Sequence, residues 1–252
     1  SPIGHSSHYS MGNDIGDINN DGYPDIISLD MLPEDLVTYK TSGLEYPFPI
    51  YRQYLRQGFA PQYMQNTLQL NLGDGRFSEI AFLSGIASTE WSWGSLLADF
   101  DNDGHTDLFI SNGIKGATND MDYMNFIANE DIQRRIDAGM NESDMPLTRE
   151  IPAKKVQNYM YRNTGSLRFE DVSANWLPTV PSFSQGAACA DLDLDGDLDL
   201  VVNHTNVPVS LLENTTVGEE TGPGTDRYAL QLDLEGDGPN TRGIGARVVA
   251  YA

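Results

Sequence analysis

Basic residues are scarce in this chain of 252 residues: Lys and Arg number 15 against 37 Asp and Glu, for a formal net charge of −22. Such a surface repels phosphates, so nucleic acid and anionic membranes are poor partners. Cysteine is nearly absent. The single Cys189, in the small-residue run GAACAD, cannot form a disulfide within the chain and reads as a small buried side chain. Cysteine usage therefore leaves the compartment open. No apolar run approaches a membrane span, and the opening SPIGHSSHYSMG lacks the pattern of a secretory leader. Apolar residues themselves are not lacking. At 39% they suffice for a core, which excludes a disordered acidic tail.

The acids are not scattered. Three segments superpose without gaps: YSMGNDIGDINNDGYPDIIS from Tyr9, WSWGSLLADFDNDGHTDLFI from Trp91 and FSQGAACADLDLDGDLDLVV from Phe183. Each sets an aromatic, a serine and, in fourth place, a glycine ahead of D-x-[DN]-x-D-G-x-x-D. A second block, NTLQLNLGDGRFSEI from Asn66 and NYMYRNTGSLRFEDV from Asn158, precedes the second and third of these at a common spacing. Within it Asn71, Gly73 and Phe77 match Asn163, Gly165 and Phe169. This is an internal repeat.

The patterns predict short strands at Leu68–Leu72 and Tyr159–Tyr161, turned by LGDG and NTGS into second strands around Phe77 and Phe169. A further strand enters each aspartate loop, and DIISL, DLFIS or DLVVN leaves it. Taken in sequence order the unit is Asn block first and loop hairpin second, four short antiparallel strands as a propeller blade requires. The expected fold is mainly β: a partial β-propeller of about three four-stranded blades with calcium loops over residues 1–216. Two partly helical insertions, at about 31–65 and 114–157, interrupt it. In the second, Met121, Met124, Ala128, Ile132 and Ile136 share one helical face, with Thr118 or Asn119 as cap and Gly139 as terminator. Packing against the blade edges is the simpler expectation for that stripe, a partner surface the other. The first unit lacks a preceding Asn block, so the chain reads as a fragment of a larger protein.

Alternating aspartates around a glycine are suited to a cation. Calcium takes six to eight oxygens, supplied here by side chains at positions one, three, five and nine and by a carbonyl at position seven. The glycine at position six permits the sharp turn. The predicted ligands are Asp17, Asn19, Asp21 and Asp25 with the Tyr23 carbonyl; Asp99, Asp101, Asp103 and Asp107 with the His105 carbonyl; and Asp191, Asp193, Asp195 and Asp199 with the Asp197 backbone oxygen. About three calcium ions are expected. An EF-hand is excluded, because its position-twelve Glu is replaced by Ser28, Ile110 and Val202. Magnesium, which keeps several waters, suits such a loop less well.

These aspartate loops after an aromatic-x-x-G strand resemble FG-GAP or VCBS repeats, the blades of integrin α-subunit propellers. The N-x-[LM]-x-x-N-x-G-x-x-x-F-x-[ED] block is similar to the same repeat in secreted proteins related to cartilage acidic protein. YALQLDLEGDGPNTRGIGARVVAYA, from Tyr228, resembles the start of the ASPIC/UnbV domain, so residues 217–252 are expected to be a linker and the opening of that β domain. The resemblance implies calcium in the loops named above.

The function this suggests is a calcium-binding module for binding or adhesion, extracellular, cell-surface or periplasmic, with structural calcium and a protein or glycan ligand. A calcium-dependent polysaccharide-active enzyme and a structural spacer are the alternatives. No Ser/His/Asp order, nucleophile elbow or phosphate-binding glycine loop is present. Arg52, Arg56, Arg134, Arg135, Lys154 and Lys155 all lie away from the loops in sequence. His5 and His8 read as an exposed terminus rather than a metal pair, and His204 as a blade-end residue. Trp91, Trp93 and Trp176 could stack on sugars, with core packing the default for Trp91.

Overall fold

In the computed structural model, described for residues 2–43, 46–139, 150–217, 232–236, 238–246 and 248, the chain is mainly β. Two short strands, β1 (Ser6–Ser7) and β4 (Gln62–Tyr63), form a parallel pair. The rest form three antiparallel sheets in succession. The first is β2 (Asn13–Gly16), β3 (Asp25–Ser28), β5 (Thr67–Asn71) and β6 (Phe77–Glu79). The second is β7 (Ser92–Ala98), β8 (Asp107–Asn112), β9 (Tyr159–Asn163) and β10 (Phe169–Asp171). The third is β11 (Ser184–Ala190), β12 (Asp199–His204) and β13 (Ser210–Leu212), three strands among the described residues where four were expected.

Each sheet opens with the aspartate hairpin and closes with the Asn block, the reverse of the order expected from the sequence. β3 pairs with β5, Ile26 opposite Gln69, and β8 pairs with β9, Leu108 opposite Tyr161. The first unit therefore lacks nothing: its Asn block follows it across the insertion. Sequence proximity misleads because the long insertions fall inside a sheet, whereas only short connections separate one sheet from the next. Those connections carry the one-turn helices α3 (Ala81–Ser84) and α6 (Ser173–Trp176) at matching places in the repeat.

The sheets stack face to face. Strand β8 shows why its sequence, DLFISN, is apolar throughout its middle: every residue is buried. Alternation sends Leu108 and Ile110 into a core shared with Ile27, Leu68 and Leu70 of the first sheet. Phe109 goes to a second core with Leu200 and Val202 of the third. Burying each such side chain contributes about 1.5–3 kcal/mol.

The fourth-place glycine of the repeat is where the stack is tightest. A Cβ on Gly12 would strike the Trp93 carbonyl of the next sheet. One on Gly94 would lie 3.0 Å from the Gln185 carbonyl oxygen and 3.0 Å from Ser111 Oγ. At Gly186, in the third sheet, a Cβ would meet nothing within 4 Å.

Both insertions are partly helical, as expected. The first holds α1 (Leu36–Thr41) and α2 (Phe48–Arg56). In the second, the single predicted helix is two, α4 (Met121–Ile127) and α5 (Glu130–Asp137). Asp120 caps α4, accepting from Tyr123 N–H, and Asn129 interrupts the run to cap α5. Neither helix buries a residue, so the Met and Ile stripe does not pack into the sheet edges. His5 and His8, expected on an exposed terminus, are half-buried, and the segment that carries them is bonded to the first sheet. Phe77 N–H donates to the Pro2 carbonyl and Gln69 Nε2 to that of His5. The segment resembling an ASPIC/UnbV domain lies partly outside the described residues; those described within 232–248 form no strand.

Gly94→Ala is expected to lower the unfolding free energy by about 1–3 kcal/mol, and Gly186→Ala to change it by about 0.5 kcal/mol or less. Urea denaturation of the two variants reads the difference, and equal effects would remove the close-approach explanation.

Candidate metal centre

Each aspartate loop is wound by its own side chains. In the first loop Asp17 accepts from the N–H groups of Asp21 (3.1 Å) and Gly22 (2.6 Å), and Asp21 accepts from Tyr23 N–H (2.8 Å). In the second, Asp99 accepts from Asp103 (3.0 Å) and Gly104 (2.8 Å), and Asp103 from His105 (2.9 Å). In the third, Asp195 accepts from Asp197 N–H at 3.1 Å. The turn runs through the left-handed region at positions four and six, with φ of 58, 52 and 66° at Asn20, Asn102 and Leu194, and 81, 87 and 103° at Gly22, Gly104 and Gly196. Asn tolerates that conformation better than Leu.

The ninth-position aspartate joins its loop to the Asn block. Asp25, Asp107 and Asp199 are buried, and each accepts two backbone N–H groups. One comes from the second position of its own loop: Ile18 (3.0 Å), Phe100 (3.0 Å) and Leu192 (2.9 Å). The other comes from the Asn block: Asn71 (2.7 Å), Asn163 (2.8 Å) and Asn214 (2.8 Å). The Asn side chains then reach back to the preceding loop. Asn163 Nδ2 donates to the Ile18 carbonyl (2.8 Å) and Asn214 Nδ2 to that of Phe100 (2.7 Å). Loop touches loop as well: Asn20 Nδ2 donates to the Gly104 carbonyl and Asn102 Nδ2 to that of Gly196. Leu194 has no amide with which to continue the series.

Carboxylate oxygens converge to within 4.8 Å of one another in two loops, from Asp99, Asp101 and Asp107 in the second and from Asp191, Asp193 and Asp195 in the third. The first loop, with Asn19 at position three, forms no such acidic triad. Asp191 Oδ1 is buried without a hydrogen-bond partner. Burial pushes the acids of Asp25 and Asp99 upward against their backbone donors, and raises Asp107 to about 7, with the charges of Asp101 and Asp99 adding to the effect. Position seven is committed elsewhere. The Tyr23 ring would stand 2.8 Å from a Cβ on Gly73, and the His105 ring 3.0 Å from one on Gly165. The Asp197 carboxylate accepts from Val217 N–H at 2.9 Å. Only its Oδ2 is so engaged; Asp197 Oδ1 is buried without a hydrogen-bond partner.

One residue was not singled out in the sequence. Arg162, on β9, places Nε 2.8 Å from Asp101 Oδ2 and Nη2 2.7 Å from Asp103 Oδ2. Only its place one before the repeated Asn163 could have flagged it. The other candidates are structural. His204 bridges Ser184 Oγ (3.1 Å) and Ser210 Oγ (2.8 Å) across the third sheet. His5 Nε2 lies 3.4 Å from Glu79 and does not join His8, whose ring packs on Tyr9 and Tyr46. Trp91 is buried, Trp93 donates to the Gly113 carbonyl, and Trp176 packs on the second core. Cys189 is half-buried.

A stack of antiparallel sheets, each begun by a loop of one pattern, defines a repeat protein. A family model for the FG-GAP-like repeat matches residues 59–110 and 153–202, so the chain carries two FG-GAP-like repeats. These spans contain the second and third aspartate loops; the first loop, of the same pattern, lies outside them. Each span runs from the Asn block of one sheet into the hairpin of the next. A search of curated proteins finds no significant match.

Asn163→Ala removes the donors to the buried Ile18 carbonyl and the half-buried Thr106 carbonyl and is expected to cost about 1–3 kcal/mol, read by urea denaturation. The raised Asp107 gives a pH dependence of definite sign. Between its ordinary value of 3.8 and about 7 the folded chain holds a proton that the unfolded chain has released. Stability of cation-free protein is therefore expected to be fullest below pH 4 for this group and to fall as pH rises toward 7. Urea midpoints at pH 5 and 7.5 in chelator check it, and a higher midpoint at pH 7.5 would contradict it.

Proposed function

We propose that the chain is part of a calcium-stabilised β-propeller that serves as an extracellular or cell-surface binding module. Each aspartate loop takes one calcium ion through the side chains at positions one, three, five and nine and the carbonyl at seven. The observation that carries this reading is the thrice-repeated loop, anchored the same way each time and offering oxygen alone. Hard cations take such donors, and calcium accepts their number and flexibility. The buried Asp191 Oδ1, which lacks a hydrogen-bond partner, fits a metal ligand. The ion neutralises carboxylates that otherwise raise one another's proton affinity, and ties the strand entering the loop to the strand leaving it. Sites of this kind in extracellular modules work at about 10⁻⁴–10⁻³ M calcium, which suits a secreted or surface location.

The ligand-facing surface on this reading is built by the insertions. Their described helices bury no residue, and a cleft of about 310 Å³ lined by His8, Tyr46, Phe48, Tyr51, Tyr63 and Met64 opens beside the first. Aromatic faces of that kind suit a glycan or an apolar protein segment. Residues 217–252 would lead into a following domain of the ASPIC/UnbV type.

Calorimetric titration of chelator-stripped protein is expected to show calcium binding at the aspartate loops, with the melting temperature rising as calcium is added. Each saturated site contributes about 2.7 kcal/mol at a hundredfold excess over its dissociation constant. If calcium at millimolar concentration neither bound nor stabilised the protein, the proposal would fail.

A further inference from the structure

The three loops share a pattern but not a charge. The residue preceding the anchoring Asn is Leu70 in the first sheet, Arg162 in the second and Glu213 in the third. Leu70 is part of the core between the first two sheets. Arg162 turns to its own loop and holds Asp101 and Asp103 by ion pairs of 2.8 and 2.7 Å. Glu213 shares a cleft of about 400 Å³ with Asp193 and Asp199 of the third loop. One position therefore pairs a cation with the second loop and sets an anion in the same cleft as the third.

We propose that Arg162 is a built-in counter-cation of the second loop, which as a result takes calcium more weakly than the third. This rests on the calcium reading above. The geometry carries it in two ways. First, Asp103 has both oxygens engaged, Oδ1 by His105 N–H and Oδ2 by Arg162 Nη2. A metal ligand at position five of this loop has to be released from Arg162 before it can turn inward. Second, the converging carboxylates differ between the loops. In the third the group includes the position-five acid, Asp195; in the second that place is empty of Asp103, and the buried Asp107 completes the triad. The guanidinium draws Asp103 outward and supplies, from within the chain, part of the charge that an ion otherwise brings. With an arginine always protonated, this neutralisation does not depend on pH. The second loop, at the middle of the stack, thus keeps its form at low calcium, while the third depends on the ion.

The test compares calcium titrations of wild type, Arg162→Leu and Arg162→Gln, with melting temperatures in chelator and in calcium. Leu is the residue the first sheet carries at this position, and the Arg162 side chain is 37% exposed, so the substitution does not open a core. Calcium is expected to bind one site about tenfold more tightly in both variants. Their melting temperatures should fall in chelator and recover in saturating calcium. Adding Asp99→Asn to Arg162→Leu should abolish the strengthened site, which assigns it to the second loop. If wild type binds calcium but the variants bind it no more tightly and melt lower at every calcium level, Arg162 is an ordinary ion pair and the inference is overturned. If no chain binds calcium at all, the calcium reading itself has failed and takes the inference with it.

Discussion

The structure hangs on one carboxylate per sheet, that of the ninth loop position. Asp25, Asp107 and Asp199 each accept one N–H from within the loop and one from the Asn block beside them in the sheet. The loop is shaped by the first bond, and the Asn block is set in register by the second. A charged acceptor makes these bonds stronger than neutral ones, and leaving either donor buried without it costs about 1–3 kcal/mol. The Asn that donates to this carboxylate carries the side chain that crosses to the preceding loop. Register within a sheet and stacking between sheets therefore share a residue.

That dependence creates an electrostatic problem. The anchor is buried among other acids, and in the second sheet its acid is raised to about 7 by burial first and neighbouring charge after. Three remedies are open to such a site: a proton, a metal ion, or a cation of the chain's own. The second loop shows the last of these in Arg162. Among the described residues no Lys or Arg pairs with the third loop, and there Glu213 lines the same cleft as Asp193 and Asp199. Identical motifs have been placed in unequal surroundings, and the inequality lies in a residue outside the motif.

The loops, the repeat and the β character are readable in the sequence because their causes are local. A glycine at position six, acids at alternate places and a β-branched exit all act within a dozen residues. Strand partnership is not local. β3 and β5 pair across the first insertion, while β6 and β7, much nearer in sequence, belong to different sheets. The role of Arg162 was illegible for the same reason: it lies far from Asp101 and Asp103 along the chain, and only the β8–β9 pairing brings it to them. The helix break at Asn129 is different again. Asn caps a helix readily, and its side chain takes Asp131 N–H, so local chemistry overrides an apolar stripe that continues past it.

The offset between repeat and sheet has a mechanical consequence. Each FG-GAP-like span begins in the last two strands of one sheet and ends in the first two strands of the next. No sheet can be peeled away by releasing a single repeat, and no repeat can loosen without opening two sheets. The chain laces neighbouring layers together as a thread passes through adjoining cloth, so a repeat that loosens disturbs both of the sheets it joins.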